Sequence, residues 1–285
     1  QHERGWQHRV RIAVAQLDLA RVLPGDVSLS ATVCRAIETA AQDYRADVVV
    51  LPEYASGWSD PLHAGLAEDE NGPFLSAVLA CAAQHRVGVV LGVLLPTAQP
   101  GRAQNVTFVI GPDGAVLGRY TKVHLYDAYG ARESDVLEAG DPRGDGAPLV
   151  VSVPTPTGTL RLGVATCYDL RFPESFRALL SVGVPDVVAV GAAWADGEGK
   201  ADQLRVLARA RAIENTVYVA LASQRGAGRV GGSAVVDPRG VVLDEASGAD
   251  DGQFAVAEFS AAQLAAIRTA SPVLEHRRYD VRPLP

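Results

Sequence analysis

The chain has 285 residues, 48% of them hydrophobic and 21% charged, and a formal net charge of -7 at pH 7. This composition excludes a disordered chain and can bury a sizeable core, in one large domain or two small ones. No Lys/Arg block occurs, so neither nucleic acid nor an anionic membrane is an expected partner; the longest apolar run, about nine residues at 187–195, is too short to span a bilayer.

Residues 1–8 carry charges without the apolar stretch of a signal peptide. We set them aside as an N-terminal extension and expect a single domain over residues 9–285. Residues 10–17 (VRIAVAQL) read as a strand, and 28–43 as a helix with Leu29, Val33, Ala36, Ile37 and Ala40 on one stripe. DVVVLP at 47–52 is a continuous apolar run, the pattern of a parallel strand covered on both faces. A helix over 72–86, with Pro73 near its start, leads to a strand over 88–95. Residues 105–110, the turn GPDG and residues 115–120 read as a hairpin.

The second half repeats the order. TLRLGVATC at 159–167 is a strand, 173–182 a helix entered through Pro173, 186–193 a buried strand, 201–214 a helix and 217–223 a strand. Residues 232–236, DPRG and 241–244 form a second hairpin, followed by a strand over 254–258 and a helix over 261–269. Two β-α-β-α-β-β halves therefore lie in tandem, about 150 residues apart at their starts. Each sheet can bury one face on the other while helices cover the outside, so an α/β fold of α-β-β-α sandwich type is expected. Ligands in such folds sit beyond the carboxyl ends of strands, and loops 54–72, 125–147 and 194–200 are expected to set the pocket width.

The residues just beyond each strand are therefore informative. Glu53 comes after DVVVLP, Lys122 after the first hairpin, Cys167 after TLRLGVAT and Trp194 after the strand ending in GAA. Taken singly, each has an ordinary reading: a solvated carboxylate, a surface lysine, a small core thiol, a packing aromatic. Together, a carboxylate, an ammonium and a thiol are the types that support nucleophilic catalysis. Cys34 and Cys81 lie inside helical stripes, which suits buried inert thiols. Three widely spaced cysteines without C-x-x-C or zinc-type spacing imply no disulfide framework and no metal site, and point to a reducing cytoplasm.

VVVLPEY, RYTKVHLYDAYGARES and GVATCYDLRFPES resemble, in order, the three signatures of the nitrilase superfamily, the carbon–nitrogen hydrolases. The resemblance runs over nearly the whole chain from residue 10 and includes the late GAAW and RARAIEN segments. The YTKVHLYDAYGARES form, with LEHRRYD near the end, is most similar to the amidase branch that includes deaminated glutathione amidases and ω-amidases. It implies the same α-β-β-α sandwich, no cofactor, and a homodimer or larger assembly that pairs outer helices. It also implies a Glu-Lys-Cys triad of Glu53, Lys122 and Cys167, with a second glutamate at Glu133 or, in another register, Glu138. The backbone N–H of Tyr168 is the expected second oxyanion donor, and the helix opening near Pro173 is expected to favour a thiolate.

Trp194 is expected to line the acyl side of the pocket, with Tyr54 or Tyr168 helping. His124 is read as a structural hydrogen-bonding partner and not as a base, Tyr126 and Asp127 as loop-positioning residues, and Arg171 as paired with a carboxylate to hold the turn. Asp169 could hold the turn or bind substrate. The expected activity is hydrolysis of a small-molecule amide, with a nitrilase or N-carbamoyl amidohydrolase as the alternative within the same chemistry. In that second case Arg132, Arg143 and Arg171 are the candidate carboxylate-binding arginines. A non-catalytic scaffold would be signalled by loss of a triad residue, and all three are present. A nucleotide-binding fold lacks its glycine fingerprint; GAGRVGG at 226–232 precedes a strand and reads as a loop at a pocket rim or interface.

Overall fold

The structure, a computed structural model, describes residues 9–19, 27–246 and 253–284. The N-terminal extension of residues 1–8 lies outside them. β1 (Arg9–Gln16) alternates Val10, Ile12 and Val14 to one face with Ala13 and Ala15 to the other. α1 (Val27–Gln42), β2 (Val48–Val50), α2 (Pro73–His85) and β3 (Gly88–Pro96) come next, then the hairpin of β4 (Ala103–Ile110) and β5 (Val116–Thr121). β6 (Val150–Thr155) precedes the second round: β7 (Gly158–Thr166), α3 (Pro173–Ala178), β8 (Val187–Ala192), α4 (Lys200–Asn215), β9 (Tyr218–Ser223), β10 (Ala234–Val236) and β11 (Val242–Glu245). β12 (Gln253–Ser260) and α5 (Ala261–Ala270) complete the described elements.

The strands form two six-stranded sheets, ordered β12-β1-β2-β3-β4-β5 and β11-β10-β9-β8-β7-β6. In each, three parallel strands (β1, β2, β3 and β7, β8, β9) are flanked by antiparallel ones. The doubled unit is thus as expected, with one addition. β6 is not apparent from the sequence, because VVSVPT comes after a Gly/Pro-rich run and itself contains Pro154. Proline is admissible there because β6 is an edge strand, paired with β7 alone. β6 and β12 hold equivalent places, each antiparallel to the first parallel strand of its sheet.

The sheets pack face to face. Val10, Ile12, Val48, Val50 and Val90 from the first meet Leu160, Leu162, Val187, Ala189 and Tyr218 from the second. The outer face of the first sheet is covered by α1 and α2 through Val33, Ile37, Leu75 and Val78; α3 and α4 cover the second through Phe176, Leu204, Ala208 and Ala212. This is the layered α-β-β-α architecture. Among the described residues no helix is long and apolar enough to cross a membrane.

Beyond β2 the chain passes between the sheets, and two glycines make room for it. A Cβ on Gly191 would stand 3.0 Å from the Glu53 nitrogen, and one on Gly92 would stand 3.2 Å from the Glu53 Cα. Glu53 is thereby held at the sheet–sheet seam, 1% exposed.

The seam also carries the stacked pair Tyr218–Phe259, one ring from each sheet, with centroids 4.0 Å apart. Phe259→Ala is expected to lower the unfolding free energy by about 3–5 kcal/mol, because the buried ring leaves a cavity that two sheets cannot close. Urea titration of the two proteins measures it.

Candidate active site

The carboxyl ends of the parallel strands lie on one side of the sandwich, and the polar residues beyond them converge there. Cys167 comes directly after β7 and opens a short 3-10 turn, Cys167–Arg171. Its φ of +43° places it in the left-handed region, a conformation that costs a non-glycine residue on the order of 1–3 kcal/mol and persists only where its surroundings enforce it. Here they do. Thr166 and Asp169 form a reciprocal capping box, in which the Thr166 side chain accepts from the Asp169 N–H and the Asp169 carboxylate accepts from the Thr166 N–H. The buried Asp169 carboxylate also accepts from the Tyr120 hydroxyl at 2.8 Å and meets His124 Nδ1 at 2.7 Å. Arg211 of α4 donates twice to the Leu170 carbonyl, at 3.0 and 2.7 Å.

Beside this turn lies a buried charge cluster. Lys122 is 0% exposed. Its Nζ is 2.9 Å from Glu53 Oε1 and 3.1 and 2.8 Å from the two Glu133 oxygens. Glu53 is fixed further by Asn105 Nδ2 at 2.8 Å, by the Ala193 N–H at 2.9 Å and, through its carbonyl, by Gln224 Nε2 at 2.7 Å. Glu133 accepts from the Tyr54 hydroxyl at 2.6 Å and from the Tyr126 N–H at 2.8 Å.

The electrostatics derive from burial. Glu53 is pushed above the ordinary carboxylate range by desolvation, only partly offset by the Lys122 ammonium and a hydrogen bond from the Cys167 thiol. Burial alone would depress Lys122, but Glu133 and Glu53 outweigh it and hold the ammonium well above its usual range. Burial, with the Glu53 charge beside it, pushes the Cys167 thiol well above its usual value, and Lys122 does not reverse this. The resting site therefore holds a neutral thiol beside the buried Glu53–Lys122 pair.

Glu53 and Cys167 face a cavity of about 480 Å³, whose other walls include Trp58, Tyr126, Glu133, Tyr168, Arg171, Trp194, Lys200 and Arg229. The volume falls within the roughly 300–1,000 Å³ usual for small-molecule sites. A thiol with an adjacent carboxylate and ammonium at the end of such a cavity can perform acyl transfer.

The residues singled out by the sequence are thus gathered in one place, with some refinements. Glu133 is the glutamate on Lys122, whereas Glu138 accepts from Thr97 at the other candidate position. Tyr54 borders the cavity, but its hydroxyl is committed to Glu133. Tyr168 packs edge-on against Tyr126, and Trp194 donates its indole N–H to the Lys200 carbonyl. His124 stacks on Phe172 and bonds Asp169, a structural role. Among the described residues Arg171 pairs with no carboxylate; it donates to Gln203 at 2.7 Å and lies over the Trp194 ring. The helix expected to open near Pro173 does so as α3, and the thiol itself lies on the preceding 3-10 turn. Arg132 and Arg171 border the cavity, whereas Arg143 is directed at the Pro283 carbonyl.

Asn105, Gln224, Lys200 and Arg229 escape the sequence reading. Gln224 comes directly after β9, so the strand-end rule would have found it; Asn105 shows only as a polar residue within an apolar strand. Arg229 lies in the glycine-rich loop, which does border the cavity. Among the described residues no cluster of His, Cys, Asp and Glu is placed to hold a metal.

Carboxylate, ammonium and thiol thus come together at one end of the α-β-β-α sandwich. The chain belongs to the carbon–nitrogen hydrolase family, whose sequence pattern it matches over residues 11–269. It is 30% identical over 253 residues to the deaminated glutathione amidase of Escherichia coli O157:H7, covering 88% of this chain and 92% of that one. Against the mouse omega-amidase NIT2 it is 29% identical over 282 residues, 95% of this chain and 96% of the other. A CN-hydrolase superfamily protein from Xanthomonas campestris superposes with a TM-score of 0.80 at 27% identity, over 97% of this chain and 100% of that structure.

Removing the ammonium tests the cluster. Lys122→Met leaves buried carboxylates unneutralised and is expected to cost about 3–5 kcal/mol at pH 8. Without its partner Glu53 is driven further above its unfolded pKa, so the stability it retains is present at acid pH and lost as pH rises through the folded value. Urea unfolding at pH 5 and pH 8 should show the deficit widening with pH.

Proposed function

We propose that the protein is an amidase that hydrolyses a small linear amide to a carboxylic acid and ammonia through a thioester on Cys167. One observation carries this reading: Glu53 and Cys167 line one cavity, and the ammonium of Lys122, buried behind its wall, lies 2.9 Å from Glu53 Oε1. The similarity to named amidases supports the substrate class.

The thiol is neutral at rest, so it attacks only as its proton leaves. Glu53 takes that proton while sulfur bonds to the carbonyl carbon. Negative charge then builds on the carbonyl oxygen, where the Lys122 ammonium and the Tyr168 backbone N–H stabilise it; losing one such donor costs about 3–4 kcal/mol in related chemistry. Glu53 returns the proton to the departing nitrogen, the C–N bond breaks and ammonia leaves. Water then attacks the thioester, Glu53 accepts its proton, and the proton returns to sulfur as the acid is released. Glu133 positions Lys122, and Trp194, Tyr168 and the body of Tyr54 form the walls. No cofactor enters this scheme.

The same reading takes residues 9–285 as one domain of a cytoplasmic protein, consistent with three free cysteines. It also takes the protein as a homodimer or larger, paired through outer helices. Exposed Val182 beyond α3, and Val206 and Ile213 on α4, support such a face. Light scattering that gives a monomer at micromolar concentration would contradict the pairing. Arg171 and Arg229 in the cavity wall favour, as the second reading, an N-carbamoyl amidohydrolase.

Ammonia release from aliphatic amides, dicarboxylic monoamides, a nitrile and an N-carbamoyl amino acid is the test. We expect release from amides, abolished in Cys167→Ala, with kcat lowered about 10²–10⁴-fold in Glu53→Gln. Release from the nitrile or carbamoyl compound alone selects the second reading or a nitrilase; release unaffected by Cys167→Ala refutes the thioester.

A further inference from the structure

Two thiols lie outside the cavity. Along the chain, Cys34 and Cys81 belong to the apolar stripes of α1 and α2; in space they are neighbours. Both helices cover the outer face of the first sheet, α1 through Val33 and Ile37 and α2 through Leu75 and Val78. They also touch each other. Cys34 meets the α2 turn that runs from Ala77 to Cys81, and further along both helices Gln42 Nε2 lies 3.4 Å from His85 Nδ1.

The contact between the cysteines is reciprocal. Cys34 Sγ lies 3.7 Å from the Ala77 carbonyl oxygen, and Cys81 Sγ lies 3.5 Å from the Cys34 carbonyl oxygen. The two thiols are also hydrogen-bonded to each other. A side chain with one heavy atom beyond Cβ reaches the opposite backbone only where two helices approach closely, and close approach is what a disulfide requires.

The two sulfurs are not equivalent. Cys34 is partly exposed, whereas Cys81 is 7% exposed. The hydrogen bond with Cys81 draws the Cys34 thiol below its usual value and outweighs its burial. The same bond, then burial, pushes Cys81 up. An accessible sulfur with thiolate character and a protonated thiol behind it suit the attacking and resolving members of an oxidation-sensitive pair.

We propose that Cys34 and Cys81 form a redox site separate from the cavity, which hydrogen peroxide closes to a reversible disulfide between α1 and α2. The Cys34 thiolate attacks one peroxide oxygen, the O–O bond breaks, and the departing hydroxide takes up the proton that Cys34 had released. Cys34 is then a sulfenic acid. The Cys81 sulfur attacks the Cys34 sulfur, the S–S bond forms, the S–O bond breaks, and the Cys81 proton leaves with hydroxide as water. The thiols lose two electrons, and one peroxide becomes two waters. A dithiol reductant reverses the oxidation, so the pair is compatible with a reducing compartment. The bond closes residues 34–81 into a loop that carries β2, Glu53 and the cavity border from Tyr54 to Leu62. It thereby tethers the segment that brings Glu53 to the seam. The site does not depend on the amidase reading.

The test uses the full chain with Cys167→Ala, in which Cys34 and Cys81 are the remaining thiols. Hydrogen peroxide should remove both together in a thiol titration, and dithiothreitol should return both. Peptide mapping should find Cys34 joined to Cys81 within one chain. The oxidised protein should unfold at a midpoint roughly 5–10 °C above the reduced one, because the closed loop restricts the unfolded chain. Adding Cys81→Ala should leave Cys34 as a sulfenic acid that dimedone traps, and adding Cys34→Ser should leave Cys81 unoxidised. Thiols that persist under peroxide sufficient to oxidise free cysteine overturn the proposal. So does a disulfide that joins two chains, or oxidation of Cys81 that survives Cys34→Ser. An oxidised protein that melts no higher than the reduced one overturns the tether.

Discussion

One buried ammonium organises the site. Lys122 is wholly enclosed and lies within 2.9 Å of one carboxylate and 2.8 Å of another. An isolated charge at that depth would be expelled or neutralised, so the lysine and its two glutamates can exist there only together. Their dependence sets the rest: Tyr54, Tyr126, Asn105 and Ala193 supply the hydrogen bonds that the carboxylates would otherwise take from water. Burial first, and then the negative charge left in excess by two carboxylates facing one ammonium, keeps the adjacent thiol protonated.

The fold delivers these groups by geometry. Parallel strands in both sheets end on the same side, so β2, β7, β8 and β9 bring Glu53, Cys167, Ala193 and Gln224 to one place. The seam between the sheets, opened by Gly92 and Gly191, lets Glu53 lie between them while remaining bonded to both. The strained Cys167 backbone is the counterpart in the second sheet, fixed by Asp169, Tyr120 and Arg211. The arrangement of the site and the packing of the sandwich are therefore one problem with one solution.

Much of this is legible in the sequence. Apolar runs locate the strands that bury one or both faces, and the GPDG and DPRG turns locate the hairpin strands, the exposed β11 among them. β6 escapes because an edge strand with a proline carries a weak pattern. Position at or just beyond a strand end locates Glu53, Lys122 and Cys167, whereas Glu133, in the turn Glu133–Asp135, is legible only through the family resemblance. Asn105, Lys200 and Arg229 are not legible, because their significance lies in what they face across the cavity and not in their neighbours along the chain. The expectation for Arg171 fails for the same reason: its partners, Gln203 and Trp194, come from α4 and from the loop after β8.

The central claim is that Cys167 rests as a neutral thiol beside Glu53 and Lys122, and ultraviolet titration of thiolate absorbance measures that directly. The difference between wild type and Cys167→Ala isolates this one sulfur. The expected result is no thiolate signal from Cys167 at neutral pH or up to about pH 9, the ordinary value for a thiol, because the group lies well above it. A thiolate signal already present at neutral pH would mean a resting thiolate–Lys122 ion pair, with Glu53 not needed to remove the proton, and would contradict the claim.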